Sequence, residues 1–154
     1  STSVIMLTVA TSKIFAWLAV KENLGVLLIE GMLSITDELW ALLLMINALL
    51  LVLGMIMEIL PIMLIMAPVL FPLLTGLGVD EVHFGVVMVL NLMIGMITPP
   101  IGLNLFIISS IGGVGVVEIF KEVVPYFFIL VIVLMLITYV PAITLFLPDL
   151  FFDR

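Results

Sequence analysis

Four long stretches of this chain carry no charged residue: Leu39 to Met57, Ile59 to Val79, Phe84 to Val117 and Val123 to Pro148. A bilayer core about 30 Å thick is crossed by roughly 20 apolar helical residues, and three of these stretches reach or exceed that length. Ahead of them, Ser3 to Val20 forms another apolar segment, interrupted by Lys13 and closed by Lys21 and Glu22. Lys13 lies about two helical turns before Lys21, close enough to an interface to extend its ammonium into water. Leu24 to Ile35 is apolar apart from Glu30 but too short to span, and reads as a connecting interfacial helix.

Glycine and proline punctuate the pattern inside the apolar runs. Thr36 or Asp37 is the expected N-cap of the helix that passes Trp40 and Asn47 toward Gly54. The sequence GMIMEILP at 54–61 follows. Gly54 admits unusual backbone angles, and Pro61 disfavours helical geometry at Leu60 while suiting a new first turn. Leu39–Met57 and Ile59–Leu74 are thus either two separate spans or the arms of a re-entrant hairpin with its tip at 54–61. A reversal at the membrane surface would place almost wholly apolar residues in water, so the hairpin is the better reading. Farther on, the consecutive prolines of ITPPIG (97–102) remove two backbone donors and clash with the turn before them. They predict one discontinuous span, Phe84 to Ile97 and then Ile101 to Ser110, ended by Gly112, Gly113 and Gly115. Glu118, Lys121 and Glu122 mark a short interfacial helix before a last span, Pro125 to Leu147, kinked at Pro141 and flanked by aromatics.

The predicted organisation is an all-α polytopic membrane protein in four parts. Residues 1–35 hold a span and the connecting helix, and 36–78 the hairpin. Residues 79–113 hold the broken transmembrane helix, and 114–154 an interfacial helix with the C-terminal span. Composition agrees: 66% of residues are hydrophobic and 10% charged, against about 25% charged in soluble domains. The formal charge of −7 is spread singly or in pairs between apolar runs. Only Lys13, Lys21, Lys121 and Arg154 are basic, too few to set membrane orientation or to hold nucleic acid. There is no cysteine, hence no disulfide framework or thiolate metal site. Ser1 is not followed by a basic n-region, and the expectation is a chain that begins inside a larger protein.

Interrupted backbone at membrane depth is tolerated where it lines a cavity or is buried in protein. There it is useful, because freed carbonyls can hold a cation and half-helix N-termini attract an anionic substrate. The two interruptions, at Gly54–Pro61 and Ile97–Gly102, are the natural places for such chemistry. Thr98 adds a hydroxyl, and Asn91 and Asn104 add amide oxygens, hard donors of the kind Na⁺ prefers. Each has a plainer alternative, since prolines kink many membrane helices and lone asparagines bond across helices. Glu58 reads as a coupling carboxylate or as a hairpin-tip residue facing a water-filled cavity. His83, beside Asp80 and Glu81, reads as a loop residue. The eleven methionines read as packing material. With no nucleophile–base pair, phosphate-cradling loop or transition-metal cluster, the residues argue against an enzyme.

GMIMEILPIMLIMAPVLFPL (54–73), followed by GVDEVHFGVVMVLNLMIGMITPPIGLNLF (78–106), resembles the large membrane subunit of tripartite ATP-independent periplasmic (TRAP) transporters. The resemblance runs from about Ser3 to the C-terminus and corresponds to the final third of such subunits. It implies one half of an inverted-repeat, elevator-type, Na⁺-driven importer, multi-pass in the inner membrane of a bacterium or archaeon. It also implies a small membrane subunit and a periplasmic binding protein as partners, with a C4-dicarboxylate or sialic acid as substrate. No organic cofactor is implied, Na⁺ being the coupling ion. The first hairpin and its broken helix would lie upstream. On this reading Gly54, Met55, Thr98 and Pro99 contribute to a cation site, mainly through backbone oxygens. Gly102 and Asn104 lie near the substrate. Family members often carry Thr near position 60 and an acidic or small residue near 93; Leu60 and Met93 depart from this, leaving backbone carbonyls as the donors at the tip. Two other readings remain at this stage: an ion-coupled anion transporter without a binding protein, and a channel or non-transporting membrane scaffold.

Overall fold

Leu39–Ile56 is helical because leucine, alanine and methionine make up most of it and few of its residues compete with the helical backbone. A computed structural model describes residues 17–18, 21–22, 24–36, 38–99 and 102–152. The apolar segment Ser3–Val20 therefore lies almost entirely outside the described residues, as do Asp37 and Pro100. Seven helices are found among them: α1 (Leu24–Leu33), α2 (Leu39–Ile56), α3 (Ile59–Gly76), α4 (Glu81–Met96), α5 (Leu103–Gly112), α6 (Val116–Tyr139) and α7 (Pro141–Phe152). No strand occurs among the described residues. Three helices, α2, α3 and α6, are long and apolar enough to cross a membrane.

The helix ends show how local chemistry sets the chain's course. Glu38, not Thr36, is the N-cap of α2, and Thr36 instead accepts the Glu38 amide on its hydroxyl at 3.2 Å. Met57 and Glu58 are extended, and α3 begins at once with Pro61 in its first turn. Proline is tolerated there because that amide would have no intrahelical partner. Leu60 is accordingly helical, so its restriction by Pro61 is overridden and the joint is narrowed to two residues. Gly78, at φ +86°, ends the α3 region, and the Val79 amide reaches back to the Leu74 carbonyl at 2.9 Å. Asp80 then caps α4, its Oδ1 accepting the amides of Val82 (2.8 Å) and His83 (3.2 Å).

Two sequence expectations are corrected here. His83 is not in a loop: it occupies the first turn of α4 and is only 2% exposed. The Asp80 cap draws the helix start ahead of it, so Glu81 faces outward while the ring turns in. Nor does an interfacial helix stop before Pro125. α6 runs through that proline as one helix of 24 residues, and the chain breaks instead at Val140, with α7 opening on Pro141. Pro141 does more than kink the span because Val140, at φ −122° and ψ 79°, has left helical geometry altogether.

The main core lies between α2, α3 and α4, where Leu42, Ile46, Leu50, Ile62, Leu70, Leu74, Phe84, Met88 and Leu92 are buried. Phe71 and Phe84 meet edge to face at 5.3 Å between centroids. A smaller cluster sets α6 against α4 through Val87, Ile94 and Leu134. α2 and α4 run in the same direction, since Asn47 meets Asn91 and, farther along, Gly54 meets Gly95. α6 runs the opposite way, bringing Thr138 near its end back beside Asn47 and His83. Its outer face, with Tyr126, Phe128, Ile129 and Ile132, stays exposed and apolar, as a lipid-facing helix requires.

Candidate functional site

The two interruptions meet. The Gly102 amide donates to the Met55 carbonyl at 3.3 Å, joining the segment after the proline break to the last turn of α2. At the residue just before Met55, α2 and α4 touch backbone to backbone. A Cβ added to Gly95 would lie 2.7 Å from both Cα and C of Gly54, and one added to Gly54 would lie 3.0 Å from the Leu92 carbonyl oxygen. Only glycine at both positions permits this approach, the close packing that small residues allow between membrane helices. Gly102, at φ +52°, holds the left-handed turn that starts α5, and its missing Cβ faces the Thr98 carbonyl oxygen at 3.1 Å.

Thr98 sits where α4 unwinds and is 6% exposed. Its hydroxyl hydrogen is committed to the Ile94 carbonyl at 2.7 Å, so the lone pairs of Oγ1 remain to accept a donor or meet a cation. Pro99 follows, half-buried, and lacks the amide that would have continued the helix. Gly54, Met55, Thr98 and Gly102 thus belong to one neighbourhood, built mainly of backbone. Asn104 stands apart from it. With Ile59, Met93, Ile94 and Leu130 it lines an open, largely apolar pocket of about 440 Å³ on the side facing α6. Glu58 is exposed at the α2–α3 joint and makes no capping bond to α3.

Asn91 lies elsewhere, about two turns before the break, and is fully buried. Its Nδ2 donates to Asn47 Oδ1, and Asn47 Nδ2 donates to Thr138 Oγ1 at 3.0 Å. The Thr138 hydroxyl in turn donates to the Leu134 carbonyl at 2.7 Å. A carbonyl can only accept, so this last bond fixes the direction of every bond before it. What remains at the far end is Asn91 Oδ1, buried and without a hydrogen-bond partner among the described residues. Asn47, Thr138 and His83 are therefore structural participants that reading by motif passed over. The available signal was that Asn47 and Thr138 are lone polar residues within charge-free stretches, where polar side chains bond across helices.

Among the described residues no group of three or more His, Asp or Glu side chains could hold a metal ion. The arrangement offers oxygen donors and apolar walls, which suits binding and movement of a small ion or solute.

Comparison with known proteins shows the family. The profile of the family described as "Tripartite ATP-independent periplasmic transporter, DctM component" matches residues 1–143. The sialic acid TRAP transporter large permease protein SiaM of Vibrio cholerae is 41% identical over 151 residues, covering 98% of this chain and 35% of that protein. The C4-dicarboxylate TRAP transporter large permease protein DctM of Rhodobacter capsulatus is 40% identical over 148 residues, covering 96% of this chain and 34% of that one. An isethionate TRAP transporter permease protein, DctMQ of Oleidesulfovibrio alaskensis, is 38% identical over 143 residues, 93% of this chain and 22% of its own length. The chain thus spans about a third or less of the length of these relatives, which are named as permeases rather than enzymes. With its apolar spans, its paired interruptions and these matches together, the chain is a multi-pass membrane protein and belongs to the DctM family of TRAP transporter large membrane subunits.

Proposed function

We propose that this chain is the C-terminal part of the large membrane subunit of a Na⁺-coupled importer of organic acids, working with a small membrane subunit and a periplasmic binding protein. The observation that carries the reading is the contact between the two interruptions, Gly102 to Met55, with Thr98 buried beside it. Na⁺ is held by hard oxygens. The Met55 carbonyl, after accepting from Gly102, keeps a second lone pair, and Thr98 Oγ1 has its hydrogen already placed. Carbonyls of Gly54 and Pro99 would complete the set. Because one part comes from α2 and the other from the α4–α5 break, an ion bound between them would fasten the two together.

The substrate would lie beside this site, near Gly102 and Asn104, with the N-terminus of α5 presenting its positive end to a carboxylate. C4-dicarboxylate, sialic acid and isethionate are the substrates named for relatives, and all are organic anions. A re-entrant arrangement of α2 and α3, moving as an elevator in the inner membrane of a bacterium or archaeon, accords with the two-residue joint at Met57–Glu58.

The test is uptake of labelled organic acids into proteoliposomes holding the native-length subunit and its small partner. Uptake is expected only with both an inward Na⁺ gradient and the cognate binding protein. Thr98→Val should raise the Na⁺ concentration for half-maximal uptake by roughly tenfold, the worth of one hydroxyl contact, while Thr98→Ser stays near the parent. Uptake by Thr98→Val with unchanged Na⁺ dependence would remove the hydroxyl from the site.

A further inference from the structure

If the substrate lies near Gly102 and Asn104, as the transport reading on which this inference rests requires, its surroundings restrict its chemistry. The open pocket of about 440 Å³ borders both interruptions. Ile59 opens α3 directly after the Met57–Glu58 joint. Met96 ends α4, Ile97 follows it toward the proline break, and Asn104 lies in the first turn of α5. Met93 and, from α6, Leu130 line the same space, and Asn104 is its one polar side chain among the described residues. Neither described lysine belongs to it: Lys21 stands over the Trp17 ring, and Lys121 lies near the start of α6.

A solute that leaves water needs its hydroxyls and charges answered by the wall it meets. Here one amide can answer. A hydrocarbon flank loses nothing against these side chains and gains by leaving water. Met93 has an unbranched, flexible thioether that moulds to such a flank. A sugar acid would press several hydroxyls against isoleucine, leucine and methionine, each giving up a hydrogen bond to water without replacement. The charges point the same way. The proposed Na⁺ and the positive end of α5 offset one carboxylate. A second one directed toward Ile59 would meet the charge of Glu58, exposed immediately before it at the joint. Polar groups supplied from elsewhere in a longer subunit would act on the solute's other faces.

We propose that the carried acid is a monocarboxylate with a hydrocarbon flank. The flank lies against Met93, Ile97 and Leu130, and the carboxylate points toward Asn104 and the break. This class is less polar than the sialic acid, C4-dicarboxylate and isethionate named for the relatives.

The test is thermal stabilisation by ligand of the native-length subunit with its small partner in nanodiscs. The binding protein is left out, so that only the membrane site selects. Straight-chain monocarboxylates from acetate to hexanoate are compared with succinate and N-acetylneuraminate, each in Na⁺ and in choline. The Na⁺-dependent part separates binding at the site from partition into lipid. Affinity should rise about fourfold with each added CH₂, the transfer free energy of a methylene expressed as a ratio. Met93 is 54% exposed, so the chain tolerates its replacement. Met93→Ser should reduce the step to about twofold, while Met93→Leu keeps it. Succinate or N-acetylneuraminate binding more tightly than hexanoate, with no dependence on chain length, would overturn the apolar flank and leave the transport reading standing. Absence of Na⁺-dependent binding by every acid would overturn both. A chain-length series unaltered in Met93→Ser would overturn the assignment to this pocket.

Discussion

The two ends of the α2–α4 pair are held by opposite means. At the break end the helices meet through bare backbone at Gly54 and Gly95, and Gly102 ties in by a main-chain bond. At the other end, Asn47, Asn91, Thr138 and His83 join α2, α4 and α6 by side-chain hydrogen bonds. Backbone contact is short and intolerant of added atoms, but it leaves carbonyls available to a ligand. Side-chain bonding spans larger gaps and fixes direction, yet it consumes nearly every polar group it uses. The first arrangement suits a place where an ion binds and leaves. The second suits a place that holds its neighbours in register.

The largest test of this contrast is Gly95→Ala. Its methyl group would sit 2.7 Å from the Gly54 backbone, which has no flexible side chain to turn aside. Separating the helices should cost about 3 kcal/mol, the upper range for overpacking, read as a fall in unfolding midpoint in detergent. Gly54→Ala meets its nearest backbone atoms at 3.0 to 3.2 Å and should cost less. If Gly95→Ala proved neutral, close backbone contact would not be what joins the helices.

At the polar end, Asn47→Leu should cost about 2 kcal/mol, because it leaves the Asn91 amide with a buried, unpaired donor. Asn47→Leu combined with Asn91→Leu should cost clearly less than the sum of the single changes, since both partners are then gone. Strict additivity would mean that the two asparagines do not act as a pair. Smaller still is Gly102→Ala, expected at about 1 kcal/mol for a left-handed alanine, since the Leu105 methyl that its Cβ would approach at 2.9 Å can rotate away. A cost as large as that of Gly95→Ala would place the rigidity of the break in the turn rather than in the α2–α4 contact.

The difference between the ends also explains what could be read from the sequence. Pro99 and Gly102 act on their own backbone, so their effect is written locally, and both interruptions were legible along with the apolar spans; Gly54, by contrast, is helical and acts through its contact with Gly95. The polar end was not. His83 follows two acidic residues, a pattern that looks solvated, whereas its ring partners lie 55 and 61 residues away. Asn47 and Thr138 are 91 residues apart. Which lone polar residues of separate spans meet depends on helix direction and rotation, which periodicity in uniformly apolar runs does not report. The joint of α2 and α3 was legible as punctuation, but its reduction to Met57 and Glu58 depended on Pro61 being harmless within a first turn.

The Gly54–Gly95 seam has one further consequence, for how the protein responds to heat. Long side chains that pack at an interface lose up to about 2 kcal/mol each of rotamer freedom, a penalty that grows with temperature, whereas glycine has no rotamers to lose. Docking of α2 against α4 at this point therefore carries almost no side-chain entropy. The junction where the breaks meet should soften less steeply on warming than the leucine- and methionine-packed faces around it, leaving the geometry of the proposed ion site intact while the periphery loosens.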